Sequence, residues 1–188
     1  MNPNLKDKTI GVIGLGYVGL PLAVEFGKKR KVIGFDINRK RINDLKNKVD
    51  STLEISSEEL NSSKKLTFTS DKLNLKSVDI FIITVPTPID KSNKPDLSYV
   101  ISASEIVGRN LNNGNVVIFE STVYPGATEE ICIPIIENIS NYKCLKQDKK
   151  NAKNYFYCGY SPERINPGDK SKSISDILKI TSGSTKNI

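Results

Sequence analysis

The chain has 188 residues, enough for one domain with a buried core, and its 37% hydrophobic and 26% charged residues exclude a disordered polypeptide. The net charge of +7 comes from scattered lysines, densest from Lys143 to Lys153, and with no aromatic residues interleaved they read as a solvated loop rather than a nucleic-acid platform. Histidine is absent, Cys132, Cys144 and Cys158 lack metal or C-x-x-C spacing, and no apolar run is long enough for a secretory signal or a membrane span, so the expectation is a cytoplasmic protein without a metal, a disulfide framework, or a membrane or nucleic-acid partner.

In chain order, Lys8 to Ile13 reads as a buried strand that runs into the turn Gly14-Leu-Gly-Tyr-Val-Gly19. A helix is expected from Tyr17 to about Arg30, with Pro21 tolerated in its first turn. Val32 to Asp36 is the second strand, and a helix starts near Asn38. The polar stretch from Ile42 to Leu60 suggests that helix, a loop and a further short helix. Lys65 to Thr69 alternates as a strand does, Asp71 can start a helix, and Val78 to Val85 is a strand stopped by Pro86 and Pro88. A helix from Asp96 to Gly108, a turn at Asn112-Asn113-Gly114, and a strand from Val116 to Phe119 follow. Thr128 to about Ile139 reads as a helix that Pro134 kinks or restarts, Tyr155 to Cys158 as a strand, and Leu178 to Thr181 as the last one. This alternation predicts a single domain over 1–188 of the α/β class: a doubly wound, mostly parallel Rossmann-type sheet with helices on both faces.

Gly14, Gly16 and Gly19 carry the G-x-G-x-x-G spacing between a strand and a helix, with an acidic residue, Asp36, 22 positions past Gly14. In that context the first glycine permits the tight turn, the second lets backbone approach a pyrophosphate, and the third lets helix and strand pack closely. Asp36 would accept hydrogen bonds from a ribose and repel a 2′-phosphate, favouring NAD over NADP, although Arg39, Lys40 and Arg41 follow closely; Asp36 could equally cap the next helix. In an open α/β sheet the turns after the strands, here Gly14 to Gly19, Val85 to Pro88 and Glu120 to Gly126, line one crevice. Ser121 and Thr122 there offer hydroxyls to a ligand or merely close a turn. Ser161 and Pro162 could begin a helix, and Glu163 could be a helix-dipole charge or a catalytic carboxylate.

The stretches Gly14-Leu-Gly-Tyr-Val-Gly-Leu20, Val85-Pro-Thr-Pro88, Glu120-Ser-Thr-Val-Tyr-Pro-Gly126 and Ser161-Pro-Glu-Arg-Ile-Asn-Pro-Gly-Asp169, in this order, resemble the N-terminal domain of the UDP-glucose/GDP-mannose dehydrogenase family. The wording from Ser161 to Asp169 is most similar to the branch acting on UDP-N-acetylglucosamine or UDP-N-acetylgalactosamine in bacterial surface (capsule) polysaccharide synthesis. It departs from the UDP-glucose branch where Pro167 stands in place of a second glutamate.

The resemblance implies oxidation of a sugar C6 alcohol to a carboxylate with two NAD⁺. It implies that Gly14, Gly16, Tyr17, Val18 and Gly19 lie at the pyrophosphate, that Asp36 and Arg41 lie at the adenosine ribose, and that Thr87 lies along the cofactor. Thr122 falls by the nicotinamide and the reacting carbon, Glu163 as general base or water-positioning group, and Arg164 beside the UDP-sugar substrate. The family's nucleophilic cysteine, which holds the aldehyde as a thiohemiacetal and then a thioester, belongs to a C-terminal sugar-nucleotide domain beyond a central dimerising helix. On the resemblance both are absent from this chain, a homodimer belongs to the full-length enzyme alone, and the chain by itself binds NAD without completing the oxidation. Two alternatives stand beside it: a two-electron hydroxyacid or hydroxyacyl-CoA-type dehydrogenase domain, which would normally need a catalytic lysine or histidine, and a non-catalytic NAD-binding module.

Overall fold

A computed structural model of the chain describes residues 7–89, 92–147, 152–162 and 179–185. Four strands of four residues each form the middle of one parallel sheet: β1 (Ile10–Ile13), β2 (Val32–Phe35), β4 (Ile80–Ile83) and β5 (Val116–Phe119). They are flanked by β3 (Leu66–Thr69), β6 (Lys143–Cys144), β7 (Tyr155–Tyr160) and β8 (Ser182–Gly183). The spatial order is β3-β2-β1-β4-β5-β7-β6, so the order reverses between β1 and β4. The register is even across this switch: Ile13 pairs with Phe35 on one side and Ile83 on the other, and Ile83 with Phe119. All four residues end their strands, so the turns that follow leave from one line along the sheet edge.

Both faces of the sheet are covered, which is why these strands read as continuous apolar runs rather than alternating ones. On one face Ile10, Val12, Val32 and Ile82 pack against Leu20, Ala23 and Val24 of helix α1 (Gly19–Gly27) and Ile42 and Leu45 of α2 (Arg39–Lys46). Leu60 of α3 (Ser57–Ser62) closes that layer. On the other face Ile33, Phe35, Phe81, Ile83, Val117 and Phe119 meet Val100, Ala103 and Val107 of α4 (Ser98–Asn110) and Ile136 of α5 (Ile133–Ser140). Each such buried Val, Leu, Ile or Phe side chain contributes about 1.5–3 kcal/mol relative to its exposure in water.

Three local outcomes refine the sequence expectations. The helix expected from Thr128 opens with a π turn over Thr128–Cys132, in which Ile133 N–H donates to the carbonyl of Thr128, and continues as α5 with Pro134 in its first turn. A proline ring collides with the carbonyl four residues back in a regular α-helix, and the wider turn removes that collision. The helix expected after Asp71 is a short 3₁₀ segment, Lys72–Ser77, capped by the Asp71 carboxylate. The last strand is β8 at Ser182–Gly183, later than the expected Leu178 to Thr181, and it runs antiparallel to β7; Leu178 itself lies outside the described residues. β6 occupies the β7 edge only at Tyr155 and Phe156, leaving Gly159 and Tyr160 to pair with β8.

Candidate functional site

The carboxyl ends of β1, β2, β4 and β5 are tied together by hydrogen bonds from side chains in the turns themselves. Asp36, just past β2, accepts from Leu15 N–H through Oδ2 at 2.9 Å and from Asn38 N–H through Oδ1 at 2.9 Å. Thr84, just past β4, donates its hydroxyl to the carbonyls of Ile13 and Gly14 at 3.1 and 2.8 Å. Ser121, just past β5, donates to the Val85 carbonyl at 2.6 Å, and the Thr87 hydroxyl donates to the Thr122 carbonyl. A continuous path therefore runs from Asp36 through Leu15, Gly14 and Val85 to Thr122. Three inter-strand steps of ~4.8 Å put the ends of β2 and β5 roughly 14 Å apart.

The three glycines of the first turn have different surroundings. Gly14 has φ +95°, and a Cβ there would meet Val85 at 3.0–3.2 Å, so this position needs glycine for its backbone and for the turn after β4. A Cβ on Gly19 would lie inside the Gly14 carbonyl and against Thr84 Oγ1, so close packing of α1 on β1 demands glycine there. A Cβ on Gly16 would meet nothing within 4 Å. Packing accounts for two of the glycines and leaves the third facing open space at the start of α1, where the unpaired N–H groups and the positive end of the helix dipole favour an anion. α1 carries no acidic residue in its first turn to compete for that position.

Large apolar or aromatic side chains stand exposed on the segments that leave this edge. Tyr17, Ile37, Ile89 and Tyr124 are large side chains left exposed, and they stand in the turns or segments after β1, β2, β4 and β5 respectively. Such side chains with a few convergent polar groups suit a ligand with flat apolar rings joined by a charged bridge.

Residues 8–187 match the UDP-glucose/GDP-mannose dehydrogenase family, NAD binding domain. The chain belongs to this family. As an NAD-binding domain, it takes NAD as its cofactor, and the open Cβ position at Gly16 fits the close backbone approach that a pyrophosphate requires. Among curated proteins it is 53% identical over 184 residues to the UDP-N-acetyl-D-glucosamine 6-dehydrogenase of Pseudomonas aeruginosa, covering 98% of this chain and 42% of that protein. It is 56% identical over 184 residues to the enzyme of the same name from Salmonella typhi, covering 98% of this chain and 41% of that one. Among solved structures, the NDP-N-acetyl-D-galactosaminuronic acid dehydrogenase of Methanosarcina mazei Go1 superposes with a TM-score of 0.81 at 29% identity, over 94% of this chain and 39% of that one. The chain thus spans about two-fifths of the length of the curated relatives it matches.

The residues singled out in the family domain fall into distinct environments. Gly14, Gly16, Tyr17, Val18 and Gly19 form one turn, with Val18 immediately before α1, and Asp36 is bonded to that turn. Asp36 does not cap α2: Asn38 does, accepting Arg41 N–H at 3.1 Å, because the cap must lie one residue before the helix begins. Thr87 and Thr122 are in contact, whereas Ser121 is buried and committed to Val85. Arg41 is buried, its guanidinium turned to Asp50, Ser51 and Thr52 and its Nε to the Leu15 carbonyl. Glu163 and Arg164 lie outside the described residues. Ser161, 3% exposed, is the buried side chain whose oxygen has no hydrogen-bond partner among the described residues.

Cys132, Cys144 and Cys158 are all free and buried. The hydrogen bond to Cys144 and burial push the Cys158 thiol well above its ordinary value, and burial outweighs the Ser104 hydrogen bond to raise Cys132. Among the described residues no group of three histidine, cysteine or acidic side chains could hold a metal, and no helix is long and apolar enough to cross a membrane. Two contributors to this edge are not singled out by the sequence motifs. Thr84 was visible as the single hydroxyl ending an apolar run, Ile80-Phe-Ile-Ile-Thr84; Asp50 stands in a polar stretch that offers no sign of its burial.

Proposed function

We propose that this chain is the cofactor-binding part of a nucleotide-sugar 6-dehydrogenase that oxidises the C6 alcohol of a UDP-N-acetylhexosamine to the uronate, for surface polysaccharide synthesis. The observation that carries the reading is the hydrogen-bonded line of turns from Asp36 to Thr122, with the Cβ position of Gly16 open in the first of them. Identity of 53% and 56% to two UDP-N-acetyl-D-glucosamine 6-dehydrogenases supports the substrate class.

In this reading the Asp36 carboxylate, whose oxygens each hold one backbone N–H, uses its remaining lone pairs for the adenosine ribose hydroxyls. Gly14, Gly16, Tyr17, Val18 and Gly19 receive the pyrophosphate against the start of α1. Thr87 and Thr122 orient the far end and the reacting carbon. NAD⁺ supplies the hydride acceptor, used twice per sugar. Glu163 serves as general base or positions water, and Arg164 lies by the nucleotide sugar. The nucleophilic cysteine comes from elsewhere in a protein of the relatives' length, because the cysteines present are buried. The protein works in the cytoplasm, with no nucleic-acid or membrane partner, and its homodimer belongs to the longer enzyme.

Titration of the 188-residue chain with NAD is expected to saturate, and absence of binding overturns the reading. With UDP-N-acetylglucosamine and NAD added, the chain alone is expected to form no uronate, and stoichiometric uronate would show that its own residues suffice. The complete reading frame is expected to release two NADH per UDP-N-acetylhexosamine and little with UDP-glucose; the reverse preference would remove the substrate assignment.

A further inference from the structure

We infer that Asp50, a residue away from the crevice, sets the chain's preference for NAD over NADP by holding Arg41 as an internal strut. The inference rests on the crevice being the dinucleotide site. Four hydrogen bonds close a ring behind it: Leu15 N–H to Asp36 Oδ2, Asn38 N–H to Asp36 Oδ1, Arg41 N–H to Asn38 Oδ1, and Arg41 Nε to the Leu15 carbonyl at 2.9 Å. The peptide unit on either side of Leu15 is thereby gripped by an acid and a guanidinium at once.

The other end of Arg41 is anchored away from this ring. Its Nη1 donates to Asp50 Oδ1 at 2.6 Å and to Ser51 Oγ at 3.0 Å, and its Nη2 to Thr52 Oγ1 at 3.3 Å. The side chains of the Arg41–Asp50 pair are only 8% and 1% exposed. Asp50 is fixed in turn: Oδ1 accepts from the Thr52 N–H and hydroxyl, and Oδ2 from Glu54 and Ile55 N–H. A guanidinium has five N–H donors, and four are committed within the chain.

An arginine soon after the second strand is the residue type that accommodates a 2′-phosphate, through its planar fork. Here that fork is occupied by Asp50, Ser51 and Thr52. Discrimination against NADP is shared by two carboxylates: Asp36 repels the extra phosphate, and Asp50 withholds the cation that would attract it. Arg39 and Lys40 are exposed nearby and remain in every variant, so they cancel from the comparison.

The test is the ratio of dissociation constants for NADPH and NADH, read by their fluorescence on the 188-residue chain at low and moderate salt. Asp50→Asn is expected to lower the ratio by about tenfold, chiefly through tighter, more salt-dependent NADPH binding. The double variant Asp50→Asn with Arg41→Met is expected to restore the high ratio, which a merely structural role for Asp50 would not do. If Asp50→Asn does not fold, Thr52→Val, which removes the Nη2 acceptor and one hydrogen bond to Asp50, is expected to lower the ratio two- to threefold. An unchanged ratio in the folded variant overturns the inference, even if both affinities weaken. If the unaltered chain binds neither dinucleotide, the reading of the crevice fails first.

Discussion

Gly14, Gly16 and Gly19 share one spacing pattern but answer to different neighbours, and substitution separates them. Gly16→Ala places a methyl group where the chain has no atom within 4 Å, so its stability should change by no more than about 0.5 kcal/mol while NAD affinity falls at least tenfold in calorimetric titration. Gly19→Ala drives a methyl into the Gly14 carbonyl, and urea unfolding should show a loss of several kcal/mol or no fold at all. The cysteines are a second case. The thiolate is the reactive form, and burial opposes it at Cys132 and, with the Cys144 hydrogen bond, at Cys158. Ellman's reagent should therefore label Cys132 and Cys158 only on unfolding, with Cys144, whose thiol the Cys158 hydrogen bond lowers, the first of the three to react. The spacing of the glycines and the role expected of each were legible in sequence, but the neighbours that enforce those roles, Val85 and Thr84 arriving from another strand, were not.

Among the elements, those with a local cause were readable and those with a tertiary cause were not. α3 is a local case: Ser56 Oγ accepts from Glu59 N–H at 3.2 Å, and Glu59 Oε2 accepts from Ser56 N–H at 2.9 Å, a reciprocal cap on a six-residue helix. Ser56→Ala should cost about 1 kcal/mol in urea unfolding and leave NAD affinity unchanged, because the Ser56 hydroxyl is bonded to Glu59 within the first turn of α3 itself. β8 is the opposite case. Ser182 and Gly183 have no strand propensity, and only the vacant edge of β7 recruits them. The π turn before Pro134 is intermediate: the proline announced a disturbance, and packing of Cys132 and Ile136 into the core chose a widened turn over a break.

For the molecule as a whole, the Arg41–Asp50 pair joins the loop between α2 and α3 to the glycine turn, so it bears on stability as well as selectivity. Burial alone would raise the Asp50 carboxyl, but hydrogen bonds from the Thr52 hydroxyl and amide, Arg41 and Ile55 outweigh it and hold the pKa below its ordinary value. A carboxylate depressed in the folded state contributes stability that is fully present above its unfolded pKa of ~3.9 and is lost as pH falls through the folded value. The native chain should therefore lose stability below about pH 4, and Asp50→Asn should be less stable at pH 7, by about 3 kcal/mol, with a flatter acid limb in urea titrations at both pH values. A parallel acid limb in the variant would remove Asp50 from that account.

What the amino-acid sequence determined alone was the order of strands and helices apart from the short strands β6 and β8, the turn that needs glycine, the acid after the second strand, and the family to which these motifs belong. Periodicity, breakers and caps act over a few residues, and a short string of residues carries their full cause. What only the tertiary structure decided was which of these residues meet: that Thr84 bridges to Gly14, that Thr87 reaches Thr122, and that Arg41 reaches Asp50. Those contacts span 70, 35 and 9 positions, and nothing local distinguishes a buried aspartate from a solvated one until the sheet and its loops have closed around it.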